Sequence, residues 1–338
     1  MTKTVKLYPS EKEIPIEEGQ TVLTALEKAG LVLPNNCRAG ACGECKIKVR
    51  SGEFDQGLVL DMALSPSERE EGYGLMCMAK LQSDVLEIEF SDEEGGVKLF
   101  PPKENMRFVL LEKSMSTHNI VKLRLRPLGR EPMRFWPGQY ISINDIDGKR
   151  PKRHYSIGNI PNSDNEVILY ITKVEEGKTS GWVHEDLKVG ESVVVDGPYG
   201  TFIGDPTADT PVLCLASGSG LAPITSLASA ALLRGGFRKP ATILFSARTE
   251  NDLFETGLFK YLSSKFRNFK FRYTLTGDEN TEGLKGRIPE ILPELYPDLS
   301  NYSVYIAGNP DFVRDCQAKV KELGGKDELI HVEGFFNQ

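Results

Sequence analysis

The sequence predicts a multidomain protein: a small α+β module, then an antiparallel β-barrel, then an α/β domain with a doubly wound parallel sheet. Three observations carry this. Four of the six cysteines, Cys37, Cys42, Cys45 and Cys77, crowd into one early stretch. Short alternating apolar segments then recur at roughly 10–20 residue spacing, the mark of an all-β unit. From Pro211 onward, short apolar runs alternate with helical stretches, as in a parallel sheet. A chain of 338 residues has room for two or three cores at about 150 residues each. With 40% hydrophobic and 26% charged residues, it is neither wholly disordered nor collagen-like.

Charge narrows the function classes. The net charge of -7 argues against general nucleic-acid binding. The acidity is uneven: residues 1–95 hold 10 Lys/Arg against 18 Asp/Glu, a balance of -8, and the remainder is near neutral. An acidic module is thus expected to offer a charged docking surface. Met1 to Ser10 is polar, so no signal peptide is expected. No run reaches about 18 apolar residues; Pro211 to Leu233 is broken by Gly218, Gly220, Pro223 and serines. A cytoplasmic protein without membrane contact is the expectation, and its cysteines then point to metal or redox chemistry before disulfides.

In the first module, Val5 to Leu7 reads as a strand, Thr21 to Ala29 as a helix and Lys46 to Val49 as a strand. The cysteines are spaced C-x4-C-x2-C, then 31 residues, then C. This matches plant-type 2Fe-2S ferredoxins. Thiolates are soft ligands, suited to iron–sulfur clusters or zinc. Gly40 and Gly43 free the loop backbone to wrap a metal core. Ala39 and Ala41 let N–H groups approach sulfur, where hydrogen bonds tune potential. A zinc site, a CxxC thiol–disulfide motif and free thiols remain alternatives. Zinc usually shows paired knuckles, and Cys77 has no neighbouring cysteine in sequence; a CxxC motif leaves Cys37 and Cys77 unexplained. Cys214 and Cys316 stand alone in apolar surroundings and read as buried small hydrophobes. The histidines (His118, His154, His184, His331) are scattered singly and read as surface or satisfied residues. Residues 1–95 resemble a complete plant-type ferredoxin domain, which implies a β-grasp fold and a 2Fe-2S cluster on the four cysteines.

A charged, glycine- and proline-rich stretch marks a linker at 96–103. The barrel expected over 104–206 draws on Phe108–Leu111, Ile120–Leu125, Tyr140–Ile143, Val167–Val174 and Ser192–Val195. Within it lies Arg153-His154-Tyr155-Ser156. This R-x-Y-S resembles the flavin-binding signature of the ferredoxin–NADP reductase superfamily. In a strand Arg153 and Tyr155 share a face; an Arg fork suits pyrophosphate, a Tyr ring offers a stacking surface, and the Ser156 hydroxyl can hydrogen-bond a flavin. Alone the motif is weak. Phe135-Trp136-Pro137-Gly138-Gln139-Tyr140 resembles the preceding family strand, and Gly197-Pro198-Tyr199-Gly200-Thr201-Phe202 a following family turn. Lys173, Gly177, Thr179 and Ser180 fall in a segment similar to the family's G-x-x-S, where a helix N-terminus meets the flavin pyrophosphate.

Over 207–338, Val212–Ala216, Ala241–Phe245, Phe271–Thr274 and Val304–Ala307 read as strands. After the first comes Gly218-Ser219-Gly220-Leu221-Ala222-Pro223. This G-x-G-x-x-P resembles the family's nicotinamide-pyrophosphate loop, and Pro223 suits a first helical turn. A tight turn without ligand is the alternative, which the flavin motifs upstream disfavour. Ser246-Ala247-Arg248 lies where the family meets the adenosine ribose. Tyr305 to Pro310 resembles its C-G-x-P segment at Gly308, with Ala307 where many members have Cys, so no catalytic thiol is implied. The chain ends Glu333-Gly334-Phe335-Phe336-Asn337-Gln338. Relatives carry a terminal aromatic and an acidic residue near the flavin, which implies catalytic roles for Glu333 and Phe335 beside Tyr155 and Ser156. Phe335 or Phe336 would cover the flavin; packing of an aromatic pair into a core is the alternative.

Taken over the whole chain, the resemblance is to the ferredoxin–NAD(P)H reductase components of bacterial multicomponent oxygenases. It implies hydride transfer from NADH to FAD, then single electrons through the cluster to a protein acceptor. No second basic residue follows Arg248 closely, which favours NADH over NADPH. The expected partner is a terminal oxygenase, ring-hydroxylating or di-iron, with a basic docking patch. A similar chain plan serves iron–sulfur dehydratases in deoxysugar biosynthesis, and a non-turnover redox sensor is a further alternative.

Overall fold

The computed structural model describes residues 3–90, 99–129, 131–205, 209–277 and 283–335. Phe336 and the start of the expected linker lie outside these residues. The chain divides into two compact units, Met1–Lys103 and Glu104–Asn337.

In the first unit a five-stranded sheet has the order Glu13–Ile16, Lys3–Pro9, Val85–Phe90, Lys46–Ser51, Tyr73–Leu75. Lys3–Pro9 and Val85–Phe90 pair in parallel, the other pairs antiparallel. The helix Val22–Lys28 opens where the Thr21 side chain accepts from the Thr24 N–H. Its Val22, Leu23 and Leu26 join Val5, Leu7, Leu86 and Ile88 in one core. The edge strand Glu13–Ile16 buries Ile14 and Ile16, and its Pro15 is tolerated because the strand lies at the sheet edge.

The second unit begins with a six-stranded antiparallel sheet. Its order is Arg153–Ser156, Tyr140–Asn144, Ser192–Tyr199, Lys103–Met115, Ile120–Pro127, Val167–Thr172. The two ends meet through a bridge between Ile157 and Leu169 and the Gly158 N–H to Ile168 O bond of 2.8 Å. Closure removes free edges. Lys103 already belongs to a barrel strand.

A parallel sheet follows, ordered Leu284–Lys285, Phe269–Leu275, Ala241–Ala247, Val212–Ser217, Ser303–Gly308, Ile330–Gly334. Chain order reverses at Val212–Ser217, which opens a crevice at the carboxyl ends of the strands. Leu221 and Phe259 pack in the core on one face of this sheet, Ile288 and Val313 in the core on the other.

The barrel and this layer form one body. Ile120, Tyr170 and Phe202 of the barrel share a core with Leu221, Phe245 and Phe254. Glu255 accepts from Lys122 Nζ at 2.7 Å and from Tyr170 OH at 2.6 Å. The Ser226 hydroxyl donates to Asn159 O at 2.8 Å. Two domains distinct in sequence pattern are joined because the outer barrel face keeps apolar side chains that only a second layer can cover.

Candidate redox site

The cysteine loop is built by backbone turns. Arg38 adopts φ 52° and Gly40 φ 69°, left-handed values that curl the chain round Cys37. Arg38 is held there by Glu27 at 2.6 Å. The N–H groups of Ala39 and Ala41 donate to Cys37 Sγ at 3.4 and 3.3 Å, and that of Cys77 to Cys45 Sγ at 3.4 Å. The thiols hydrogen-bond in two pairs, Cys37 with Cys42 and Cys45 with Cys77. The Cys42 thiol and then the loop amides hold Cys37 down to about 5, against burial. Cys77 is lowered by Cys45, while Cys42 and Cys45 are raised. Each pair thus favours one thiolate. Two pairs suit two irons with two thiolates each, and the amides aimed at sulfur suit an anionic cluster. Four thiols in two pairs are a donor set that fits a binuclear cluster. Cys214 and Cys316 are buried, and burial raises both thiols, Cys214 to about 12.

In the second unit the strand Arg153–Ser156 pairs with Tyr140–Asn144, placing Ser156 opposite Tyr140 and Tyr155 opposite Ile141. The flanking motifs meet beside it. Gln139 donates to Gly200 O at 3.1 Å, and a Cβ on Gly138 would stand 1.9 Å from Phe202 O. Tyr155 packs against the barrel core, and burial pushes its phenol up.

The helix Lys178–Glu185 starts at Gly177 with no side-chain cap, so its first amides are open to an anion. Thr179 ties this helix to the segment just before the strand Arg153–Ser156, donating to Pro151 O at 2.6 Å, and Ser180 accepts from the Val174 N–H at 3.2 Å. A Cβ on Gly177 would meet Ser180 Oγ at 2.5 Å, whereas Gly181 faces open space. Lys173 is turned to Glu185 at 2.7 Å. These features fit a flavin pyrophosphate at the helix start, with Thr179 and Ser180 shaping the loop.

The crevice of the parallel sheet joins this strand. Gly218 has φ 52° and open space where a side chain would stand. Ser219 Oγ accepts from Thr172 Oγ1 of the barrel at 3.0 Å. A Cβ on Gly220 would lie 2.2 Å from Ala307 O and 2.7 Å from Gly308 N. Pro223 is buried in the helix Leu221–Leu233. Arg248 is exposed at the end of Ala241–Ala247. Ser217 Oγ is buried with no hydrogen-bond partner among the described residues, close to where a Cβ on Gly308 would be. An unsatisfied buried hydroxyl beside a glycine loop fits a site that takes a nucleotide. Ser217 and Thr172 escape sequence reading: Ser217 adjoins the glycine loop, but nothing local marks Thr172.

Pairing of Ser303–Gly308 with Ile330–Gly334 sets Glu333 beside Ala307, and Phe335 N–H donates to Gly308 O at 2.8 Å. Ser156 Oγ then donates to Glu333 Oε2 at 3.2 Å, across 177 positions. Glu333 is 3% exposed. Burial pushes its carboxyl up to about 8, against the opposing Ser156 bond. The structure so brings together Ser156, Glu333, Gly308 and Phe335; Lys173 and Arg248 stand on the surface.

The Gly220 contact carries an expected result. Gly220→Ala should lower kcat/KM for NADH by about 10²-fold, because backbone must move and an ångström of misplacement costs that much. Flavin and cluster absorbance should stay; unchanged steady-state kinetics would contradict the loop's role.

Family models match three successive stretches: a 2Fe-2S iron-sulfur cluster binding domain at residues 5–82, an oxidoreductase FAD-binding domain at 107–203 and an oxidoreductase NAD-binding domain at 214–318. The chain is 32% identical over 319 residues to the phenol 2-monooxygenase reductase component DmpP of Pseudomonas sp. (strain CF600), covering 93% of this chain and 88% of that one. It is 30% identical to the propane 2-monooxygenase reductase component of Mycolicibacterium goodii, covering 91% and 90%. The crystal structure of the Amycolatopsis cytochrome P450 reductase GcoB superposes with a TM-score of 0.88 at 28% identity over 99% of both chains. Paired thiols, a serine–carboxyl contact at the crevice and near full-length kinship lead to one assignment: the chain belongs to the family of single-chain iron–sulfur flavoprotein reductases that use FAD, NAD(P)H and a 2Fe-2S cluster.

Proposed function

We propose that this chain is the reductase of an oxygenase system, taking electrons from NADH and delivering them singly to a terminal oxygenase with a basic docking patch. The observation that carries it is the Ser156–Glu333 contact, which joins the flavin strand to the nicotinamide crevice. When bound, FAD accepts a two-electron hydride and hands on single electrons, the only kind a 2Fe-2S cluster takes. This chain's residues do the rest. Tyr155 offers a ring face, Arg153 a charge and the helix at Gly177 its amides. Gly218, Ser219, Gly220, Gly308 and Ser217 would cradle the nucleotide, Arg248 would meet its ribose, and Phe335 stands beside the crevice. Glu333 holds a proton on its carboxyl while Ser156 Oγ bonds to it. Cys37, Cys42, Cys45 and Cys77 hold the cluster.

The domain boundaries in this reading are 1–95, 103–206 and 207–338, the barrel taking Lys103 with its first strand. The acceptor assignment is supported by the phenol and propane monooxygenase relatives and by the acidic balance of residues 1–95. A dehydratase-linked reductase or a silent sensor has no supporting observation. A cytoplasmic site is supported by six free cysteines; no described helix is long and apolar enough to cross a membrane.

Anaerobic titration with NADH, followed by absorbance and low-temperature electron paramagnetic resonance, tests the reading. Flavin bleaching with one reduced 2Fe-2S signal per chain is expected. An NADPH preference above about tenfold, or about 1.4 kcal/mol, would overturn the donor; a cluster that stays oxidised would overturn the electron path.

A further inference from the structure

Residues 57–62 read Gly-Leu-Val-Leu-Asp-Met. Leu58, Leu60 and Met62 are 90%, 52% and 80% exposed, whereas Leu64 is fully buried. Single exposed hydrophobics need no explanation, but three on one short loop do. Elsewhere in this unit, exposed Tyr8 has the Arg50 guanidinium over its ring at 3.6 Å.

This loop is fastened to the cysteine loop. The Leu60 N–H donates to Gly40 O at 3.0 Å. A Cβ on Gly40 would stand 2.8 Å from Leu58 O and 2.9 Å from Val59 Cγ1. The Gly40 amide in turn bonds the Cys77 thiol. One residue therefore separates the apolar patch from a cluster ligand. Acids outnumber bases along this stretch: residues 53–62 hold Glu53, Asp55 and Asp61 and no Lys or Arg, and Arg69 reaches Asp61 from outside it at 2.8 Å.

Resting on the electron-delivery reading above, we propose that Leu58, Leu60 and Met62 are the docking patch for the acceptor protein. That acceptor presents an apolar patch ringed by Lys and Arg beside its own one-electron centre. A second copy of this chain would set acid against acid, which disfavours self-pairing. The exchange balances without bond making at the patch: NADH and two oxidised acceptors give NAD+, one proton and two singly reduced acceptors.

The test uses the full holoprotein and the double variant Leu58→Ser/Met62→Ser. Cytochrome c serves as a basic one-electron protein acceptor, and ferricyanide as a small acceptor that needs no docking. Cytochrome c reduction should lose about tenfold in kcat/KM, mostly through KM, since a few central apolar anchors dominate such contacts. Ferricyanide turnover and anaerobic reduction of flavin and cluster by NADH should match the parent. An unchanged cytochrome c rate overturns the proposal. Slower NADH reduction of the cluster also overturns it, by assigning the patch to the chain's own flavin unit. A parent dimer that the variant converts to monomer in sedimentation assigns it to self-association instead. A parent cluster that NADH never reduces defeats the electron-delivery reading itself, before docking is in question.

Discussion

Cys77→Ser should abolish the cluster and leave the flavin half of the protein working. The parent pairs Cys45 with Cys77, and serine oxygen is a poor, hard substitute for a thiolate on iron. Visible absorbance should reduce to that of flavin alone. NADH should still bleach the flavin at the parent rate, because the nicotinamide crevice lies wholly in residues 104–337, the second unit. Reduction of cytochrome c should fall by about 10² or more, since the single-electron exit is gone. Cys214→Ser is the matched control. That thiol is buried in the sheet core among apolar neighbours, and its loss should leave both chromophores intact. A loaded 2Fe-2S cluster in the Cys77 variant would refute the ligand assignment.

Glu333→Gln should remove a titration near pH 8 from both hydride transfer and stability. The carboxyl is raised to about 8 by burial, from an ordinary value near 4.5. Its proton is therefore bound in the folded protein and lost from the unfolded chain between those limits. The stabilisation from this group is fully present below about pH 4.5 and is lost as pH rises towards 8. The span corresponds to something on the order of 5 kcal/mol. The temperature at which flavin fluorescence is released should fall with pH across this window in the parent and stay flatter in the variant. In stopped-flow mixing with NADH, the parent rate should change near pH 8 and that of the variant should not. Ser156→Ala removes the partner hydroxyl, and the rate should drop about 10²-fold, within the usual reach of one positioned proton-bearing group. Parallel pH profiles for parent and Glu333→Gln would show that the carboxyl does not govern the step.

The cofactor classes were legible in the chain because each motif is local. Cys37, Cys42 and Cys45 occupy one loop; Arg153 to Ser156 one strand; Gly218 to Gly220 one turn. Spacing within a few residues dictates which side chains share a loop or face, so cofactor classes follow from the string of letters. Strand alternation likewise announced the barrel and the α/β layer. What the letters left open is long-range. Whether Glu333 reaches Ser156 depends on Ile330–Gly334 taking the edge of the parallel sheet in register with Ser303–Gly308, and on the barrel docking against that sheet. The pairing of Cys45 with Cys77, the Thr172–Ser219 bond and the Glu255 link to Lys122 and Tyr170 have the same origin. Each is a contact between segments whose local preferences say nothing of one another. Burial, register and loop closure among distant segments settle such contacts, and only the folded chain contains them.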